Sequence, residues 1–356
     1  LIDVETELAF AGAEAAHAAL SAHAKSHDIP PEIDRAGHLA FSFQGNRLEF
    51  LTVPGRMRIR LSAVSRNTLY FLKEAVVHHL EDADPEAARN LRWPGDGDAD
   101  SRRTPPNFRL LTVLDRSRPV DGMTRLSLSG EDLGPLTRDG IHVKLMLPAD
   151  RSRSPVWPGV AANGATRWPK GPDRLHVRYF TLLGLEPEAG RVAIDFADHP
   201  GGQISDWARA ARPGDRIGIM GPGGGLPPGT DRPLILMGDE TALPALVRIL
   251  EALPARAEGW VIAPLRPADA GYLPASPLET LLLGPEGFAA SAAARFAEAL
   301  DARPGARVWV GAEHGLVLEA RRIAAALPPG QKEIGTYWRR GRPGDATRDD
   351  HDDHDD

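Results

Sequence analysis

Cysteine is absent from the 356 residues. That excludes disulfides, thiol catalysis and iron–sulfur clusters held by cysteine. No apolar run reaches the roughly 18 residues that a membrane-crossing helix needs. The stretch from Leu1 has neither a basic start nor a continuous apolar core, so no leader peptide is expected there. An excess of positive charge is also missing. The net charge is −7, and six of the acidic residues (Asp349, Asp350, Asp352, Asp353, Asp355 and Asp356) sit in the tail; removing their charge leaves −1. A near-neutral body has no electrostatic footprint for nucleic acid. The expectation is a soluble cytoplasmic protein with no nucleic-acid partner and no membrane insertion.

Apolar residues make up 42% of the chain, enough for real cores, and 36 glycines with 32 prolines imply many turns. At roughly 100–200 residues per domain, the length suggests two or three domains. Residues 1–93 read as a small α+β domain. Ala13 to His27 is rich in alanine and free of glycine and proline, which predicts a helix. Leu39, Phe41 and Phe43 alternate with other residues, as do Leu48, Phe50 and Thr52, and then Met57, Ile59 and Leu61. Period-two alternation broken by Gly45-Asn46 and Gly55 predicts three antiparallel strands. Leu69, Leu72, Val76, Val77 and Leu80 recur at helical spacing. Residues 94–106 lack periodicity and read as a linker. The acidic tail, 343–356, reads as solvated and disordered, although His351 and His354 within it could catch a metal.

Residues 107–229 carry a β signal. Strands are expected at Phe108–Leu114, Thr124–Leu128, Ile141–Leu147, Leu175–Leu182, Val192–Ala197 and Arg216–Met220, with one helix at Ser205–Ala211. Many short strands and one helix predict an antiparallel barrel. An Arg/Pro/Gly/Trp-rich insertion between Pro148 and Asp173 is expected to be a surface loop. From 230 to 342 the pattern changes to alternating strands and helices, which predicts a parallel sheet covered by helices. The fold class is therefore multidomain: a small α+β domain, an antiparallel β-barrel and a C-terminal α/β domain.

Three motifs carry chemistry. Arg178-Tyr179-Phe180-Thr181 ends a strand, where Arg178 and Phe180 project to one face and Thr181 to the other. A guanidinium can meet a phosphate and a flat ring can lie along a planar cofactor. The segment from His199 through Gly201, Gly202 and Ser205 to Trp207 follows a strand and opens a helix. A glycine-rich helix start exposes free N–H groups and the positive end of the helix dipole, which suits a pyrophosphate. Ser205 could cap that helix or bond a phosphate oxygen. Gly238-Asp239-Glu240-Thr241 follows the apolar strand Leu234–Met237, where open α/β sheets bind nucleotides. It lacks a full dinucleotide fingerprint.

Arg178 to Thr181 resembles the Arg-x-Tyr-Thr signature of ferredoxin-reductase-like flavoproteins, with Phe180 in place of the usual tyrosine. Together with VAIDFADH (192–199), GPGG (221–224), GDETALPAL (238–246), Trp309–Glu313 and YWRRG (337–341), the order and spacing resemble the siderophore-interacting protein family over about residues 107–342. The chain departs from that family's pattern at Phe180, at Gly202–Ser205 and over 263–302. The resemblance implies a flavin barrel holding FAD and a C-terminal NAD(P)H domain. The implied activity is electron transfer from NAD(P)H through FAD to iron(III) in a siderophore. The flavin carries that chemistry, so no side chain is assigned as catalytic.

Cofactor-binding candidates are Arg178, Phe180, Thr181, His199, Gly201, Gly202, Ser205, Trp207, Gly238, Asp239, Glu240, Thr241 and Trp338. An anionic chelate calls for local positive charge, and Lys144, Arg339 and Arg340 are the candidates. The alternatives are a general NAD(P)H:flavin or ferredoxin-type reductase, or an iron- or haem-binding N-terminal module built from His17, His23, His27, His38, His78 and His79. Of these, His23 and His27 lie four apart on one helical face, a spacing that can bind metal. Residues 1–84 also resemble a small bacterial domain family of unknown function, through LSAHAKSHDIP, FSFQG and VVHHL.

Overall fold

The computed structural model describes residues 1–26, 31–94, 104–137, 140–199, 201–223 and 227–341, the side chains of 23–26 excepted. Most of the expected linker and the acidic tail lie outside the described residues. The chain divides into two compact units, one of Leu1–Phe108 with Pro148–Arg174, the other of Arg109–Leu147 with Leu175–Asp356.

In the first unit a five-stranded antiparallel sheet runs, in spatial order, Ile2–Ala9, Arg56–Ala63, Asn46–Val53, His38–Phe43 and Ile33–Arg35. Alternation sorts its faces. Met57, Ile59, Leu61 and Ala63 are buried. Between them Arg58 pairs with Glu7 at 3.0 Å and Arg60 with Glu5 at 2.6 Å on the solvent side. Helices Ala13–Ser26 and Arg66–Ala83 close the apolar face, where Leu20, Leu72, Val76 and Leu80 share a core with Leu39 and Phe50. Ser65 caps the second helix by accepting from the Thr68 N–H.

The sheet therefore has five strands, not the three read from the sequence. Ile2, Val4, Thr6 and Leu8 carry the same alternation; they were missed because acidic residues fill the other face, which here meets arginines. A short helix at Pro85–Asn90 was also missed.

The insertion is a second correction. It is no free loop: it forms the hairpin Gly159–Val160 with Thr166–Arg167 and belongs to the N-terminal unit. The Asn163 carbonyl accepts from the Trp93 indole N–H at 2.9 Å, and its amide donates to the Ala88 carbonyl at 3.0 Å. Glu74 accepts from the Thr166 N–H at 3.1 Å and from its hydroxyl, and Tyr70 Oη lies 2.8 Å from that hydroxyl. Gly164 has φ +87°, and a Cβ there would sit 2.9 Å from the Trp93 ring. Only glycine allows that turn against that ring.

In the second unit all six expected barrel strands form. They close in the order Leu175–Glu186, Arg191–Ala197, Met123–Ser129, Phe108–Ser117, Arg216–Gly223 and His142–Pro148. Helix Gln203–Ala210 packs Ile204, Trp207 and Ala208 into a core with Leu126, Leu145, Ile194 and Phe196. The C-terminal sheet is wholly parallel, in the order Glu279–Leu282, Gly259–Ala263, Leu234–Gly238, Arg307–Glu313 and Lys332–Trp338.

Both faces of that sheet are covered, which explains the continuous apolar run Leu234–Met237. Leu234 and Leu236 face helix Leu243–Ala252, whereas Ile235 and Met237 face helices Phe288–Ala302 and His314–Ile323. The first of these cores also takes in Val120, Met123, Ile141, Leu183 and Ala197 from the barrel. Barrel and parallel sheet thus share one apolar core.

Candidate functional site

The strand Leu234–Gly238 is the switch point of the sheet. One neighbour, Gly259–Ala263, follows it in sequence, and the other, Arg307–Glu313, comes later. Open parallel sheets bind ligands in the crevice outside the carboxyl ends of strands at such a point. Gly238, Asp239 and Glu313 lie at those ends. A Cβ at Gly238 would sit 2.9 Å from the Ala242 Cβ and 3.1 Å from Leu246, so this glycine lets the helix pack close.

Asp239 is 4% exposed and its carboxylate is filled by the protein. One oxygen accepts from the Thr241 N–H at 2.9 Å and from its hydroxyl at 2.6 Å. The other accepts from the Glu313 N–H at 2.7 Å and the Trp338 indole at 2.8 Å. Burial raises its pKa, and the four donors act against that. Asp239 and Thr241 were expected to hold a cofactor. The Asp239 side chain instead ties together the ends of three neighbouring strands, and Thr241 donates to it. Glu240 remains exposed at the crevice.

The barrel's glycine turn meets this clamp. After strand Arg191–Ala197 comes His199, then Gly201 at φ +86°, then Gly202 as the N-cap of helix Gln203–Ala210, with no side chain capping it. Ser205 is therefore not the cap. It is buried, with Oγ 3.4 Å from His199 Nε2. A Cβ on Gly202 would fall 2.5 Å from Ser205 Oγ and 2.6 Å from His199 Cε1. The turn is thus a tight cradle ending in unfilled helix N–H groups, which fits the pyrophosphate of FAD. Pro200 lies outside the described residues.

The His199 ring stacks on the Trp338 ring, 6.1 Å between centroids and 5° from parallel. Trp338 in turn carries the Arg340 guanidinium 5.9 Å from its centroid. The Arg340 N–H donates to Glu313 at 3.2 Å. Trp207 is not part of this surface: it is 3% exposed within the barrel core, and its role is to seat the helix.

On the neighbouring strand Arg178 is half-buried and donates to the Val177 carbonyl at 2.6 Å. Phe180 leans on Phe196, 4.8 Å between centroids. Thr181 points inward, and its hydroxyl lies 3.2 Å from His142 Nδ1. The sequence reading missed His142. Its Nε2 lies 3.2 Å from the hydroxyl of Tyr337, in the last strand of the parallel sheet. Burial, and then the charge of Arg248, push the His142 pKa down to about 4, so the ring is neutral near pH 7. Arg248 itself donates to the Leu182 carbonyl at 2.8 Å. No local pattern marks His142, because its partners are 39 and 195 residues away.

Asp195 was also missed. It accepts twice from Arg125, each at 2.7 Å, and once from Tyr272 at 2.7 Å, a second polar bridge between barrel and sheet. A cavity of about 360 Å³ beside the glycine turn is lined by Arg116, Ser117, Arg118, Thr124 and Arg209. Two of its guanidinium groups are paired, Arg118 with Asp198 at 3.5 Å and Arg209 with Asp206, and Arg116 donates to the Arg209 carbonyl.

Of the expected chelate-binding residues, Lys144 lies 5.3 Å over the half-exposed Tyr179 ring. Arg339 is half-buried and Arg340 exposed.

Comparison with known proteins bears on these features. The family described as siderophore-interacting FAD-binding domain matches residues 112–226, and the siderophore-interacting protein family matches 232–341. A protein of Escherichia coli named NADPH-dependent ferric-chelate reductase is 40% identical over 149 residues, 41% of this chain and 57% of that one. The ferric vibriobactin reductase ViuB of Vibrio cholerae is 32% identical over 162 residues, 43% and 57%. The matches span only 57% of the length of either relative. Among solved structures, a siderophore utilization protein from T. fusca is similar with TM-score 0.55 and 30% identity, covering 66% of this chain and 94% of that one. The siderophore-interacting protein SipS of Aeromonas hydrophila gives 0.52 and 28%, covering 66% and 93%. With matched halves that coincide with the barrel and the parallel sheet, the chain belongs to the siderophore-interacting protein family.

Proposed function

We propose that this chain is a ferric-siderophore reductase that uses FAD and NAD(P)H. The observation that carries the reading is the contact of two cofactor-type features in one unit. An uncapped glycine turn on the barrel is stacked, through His199 and Trp338, onto the carboxyl ends of a parallel sheet. Bound flavin supplies the conversion between a two-electron donor and one-electron acceptors. The balance is one NAD(P)H and two iron(III) giving NAD(P)⁺, one proton and two iron(II).

The chain's own residues bind and orient. The Gly201–Ser205 turn takes the pyrophosphate, and Arg178 adds a cation on the adjoining strand. Thr181 presents a hydroxyl held by neutral His142. The Asp239 clamp fixes the crevice where the nucleotide docks. Lys144, Arg339 and Arg340 attract an anionic chelate. Siderophores hold iron(III) with hard anionic oxygens that suit iron(II) less well, so reduction loosens the metal. The names of the Escherichia coli and Vibrio cholerae relatives support this acceptor.

The test is anaerobic turnover of purified, flavin-loaded protein with a ferric siderophore, with iron(II) trapped by a ferrous chelator. Iron(II) release at one NAD(P)H per two iron is expected. Rapid reduction of free flavin or dyes with no ferric-siderophore turnover would favour the general flavin-reductase alternative.

A further inference from the structure

The N-terminal unit presents a cluster that the reductase reading does not use. Helix Arg66–Ala83 buries Leu69, Leu72, Val76, Val77 and Leu80. Away from that stripe it carries His78, His79 and Asp82, whose ligand atoms all lie within 4.8 Å of one another. The spacing explains this. Asp82 is four residues from His78 and three from His79, and both separations place side chains side by side on a helix. The two rings are 5.2 Å apart and tilted by 55°. Both histidines are half-buried, which limits their freedom, whereas Asp82 is exposed and can swing. Among the described residues Asp82 makes no hydrogen bond or ion pair.

His17 Nδ1 lies 3.2 Å from the Thr52 hydroxyl, and His38 pairs with Glu49 at 2.8 Å. The side chains of His23 and His27 lie outside the described residues.

We propose that His78, His79 and Asp82 bind a divalent first-row transition-metal ion such as iron(II) or zinc(II). Two borderline imidazoles beside one hard carboxylate suit these ions better than calcium or magnesium, which take all-oxygen sites. Ligands at about 2.1 Å from an ion stand about 3 Å apart, so side-chain rotation on one helical turn closes the cluster. Three ligands leave open positions for water or a chelate oxygen. The site does not depend on the reductase reading.

Equilibrium dialysis of the full chain, without an affinity tag, against iron(II) under anaerobic conditions and against zinc(II) tests the proposal. The histidines of the acidic tail are a second source of ligands, so H351A/H354A is the reference background. About one ion per chain is expected there, with affinity lowered at least tenfold by H79A and by D82N. D82N changes an exposed side chain and guards against misfolding as the cause. Binding that survives both substitutions, or that disappears in H351A/H354A alone, would overturn the site.

Discussion

The Trp338 indole N–H donates to Asp239 Oδ2 at 2.8 Å, while the face of the same ring stacks on His199 of the barrel. One side chain therefore links the first strand of the parallel sheet, its last strand and the flavin turn. Trp338→Phe keeps a ring but removes the donor to a buried carboxylate. The expected cost is about 1.5–3 kcal/mol, since hydrogen bonds to charged groups are worth that much. Thermal unfolding should show a fall of several degrees. Asp239→Asn should cost at least as much, because its amide would face the N–H groups of Glu313 and Trp338. An unchanged Tm in both variants would show that the clamp is incidental.

Flavin binding should fail by two separable routes. Arg178→Ala removes a cation near the expected phosphates and should weaken flavin affinity roughly tenfold or more while leaving the fold intact. Gly202→Ala pushes a methyl into Ser205 and His199 and should distort the turn. Flavin titration followed by fluorescence reads both. Heat-released cofactor should be FAD; recovery of FMN alone would contradict a pyrophosphate cradle.

His142 gives a pH signature. The unfolded chain takes up its proton near 6.5, whereas the folded protein holds it off until about 4. Stability is therefore present above pH 6.5 and is lost as pH falls toward 4, by on the order of 3 kcal/mol. Carboxylates titrate in the same range, so the useful quantity is the difference between wild type and His142→Gln. That difference should narrow with falling pH; a constant offset between pH 4 and 7 would show that His142 does not contribute.

The hairpin at 159–167 bears on the independence of the N-terminal unit. Trp93→Phe should destabilise that unit by about 1–3 kcal/mol, because the Asn163 carbonyl loses its donor in a buried place. Deleting residues 1–93 should leave a flavin-binding reductase but expose Val160 and Asn163. Limited proteolysis should then cut within 148–174, where the full chain is expected to resist. Resistance in the truncated protein would mean that the hairpin folds without its cover.

The acceptor half-reaction should depend on salt. Replacing Lys144, or Arg339 with Arg340, by alanine should raise KM for an anionic ferric siderophore and leave flavin reduction by NAD(P)H unchanged. Attraction across a wet site is screened within about 8–10 Å at physiological salt. Wild-type KM should thus rise with ionic strength, and the variants should lose part of that dependence. Stopped-flow separates the two steps, and unchanged acceptor kinetics in all variants would move the siderophore site elsewhere.

Most elements were legible in the sequence, but strands Ile2–Ala9 and Ile33–Arg35, helix Pro85–Asn90 and the hairpin of Gly159–Val160 with Thr166–Arg167 were not. A succession of short β-type segments marked all six barrel strands. Continuous apolar runs marked Leu234–Met237 and Val308–Gly311, because those strands are covered on both sides. The glycine turn after Phe196 and the Gly238 bend were legible because helix starts and strand ends demand local backbone geometry. Tertiary structure decided what met what. It made Asp239 a clamp, sank Trp207 into the core, joined Thr181 to His142 and Tyr337, and drew the 148–174 insertion onto Trp93. Each outcome rests on partners tens to hundreds of residues apart. Local sequence records which face of an element is apolar, but not which other element will cover it.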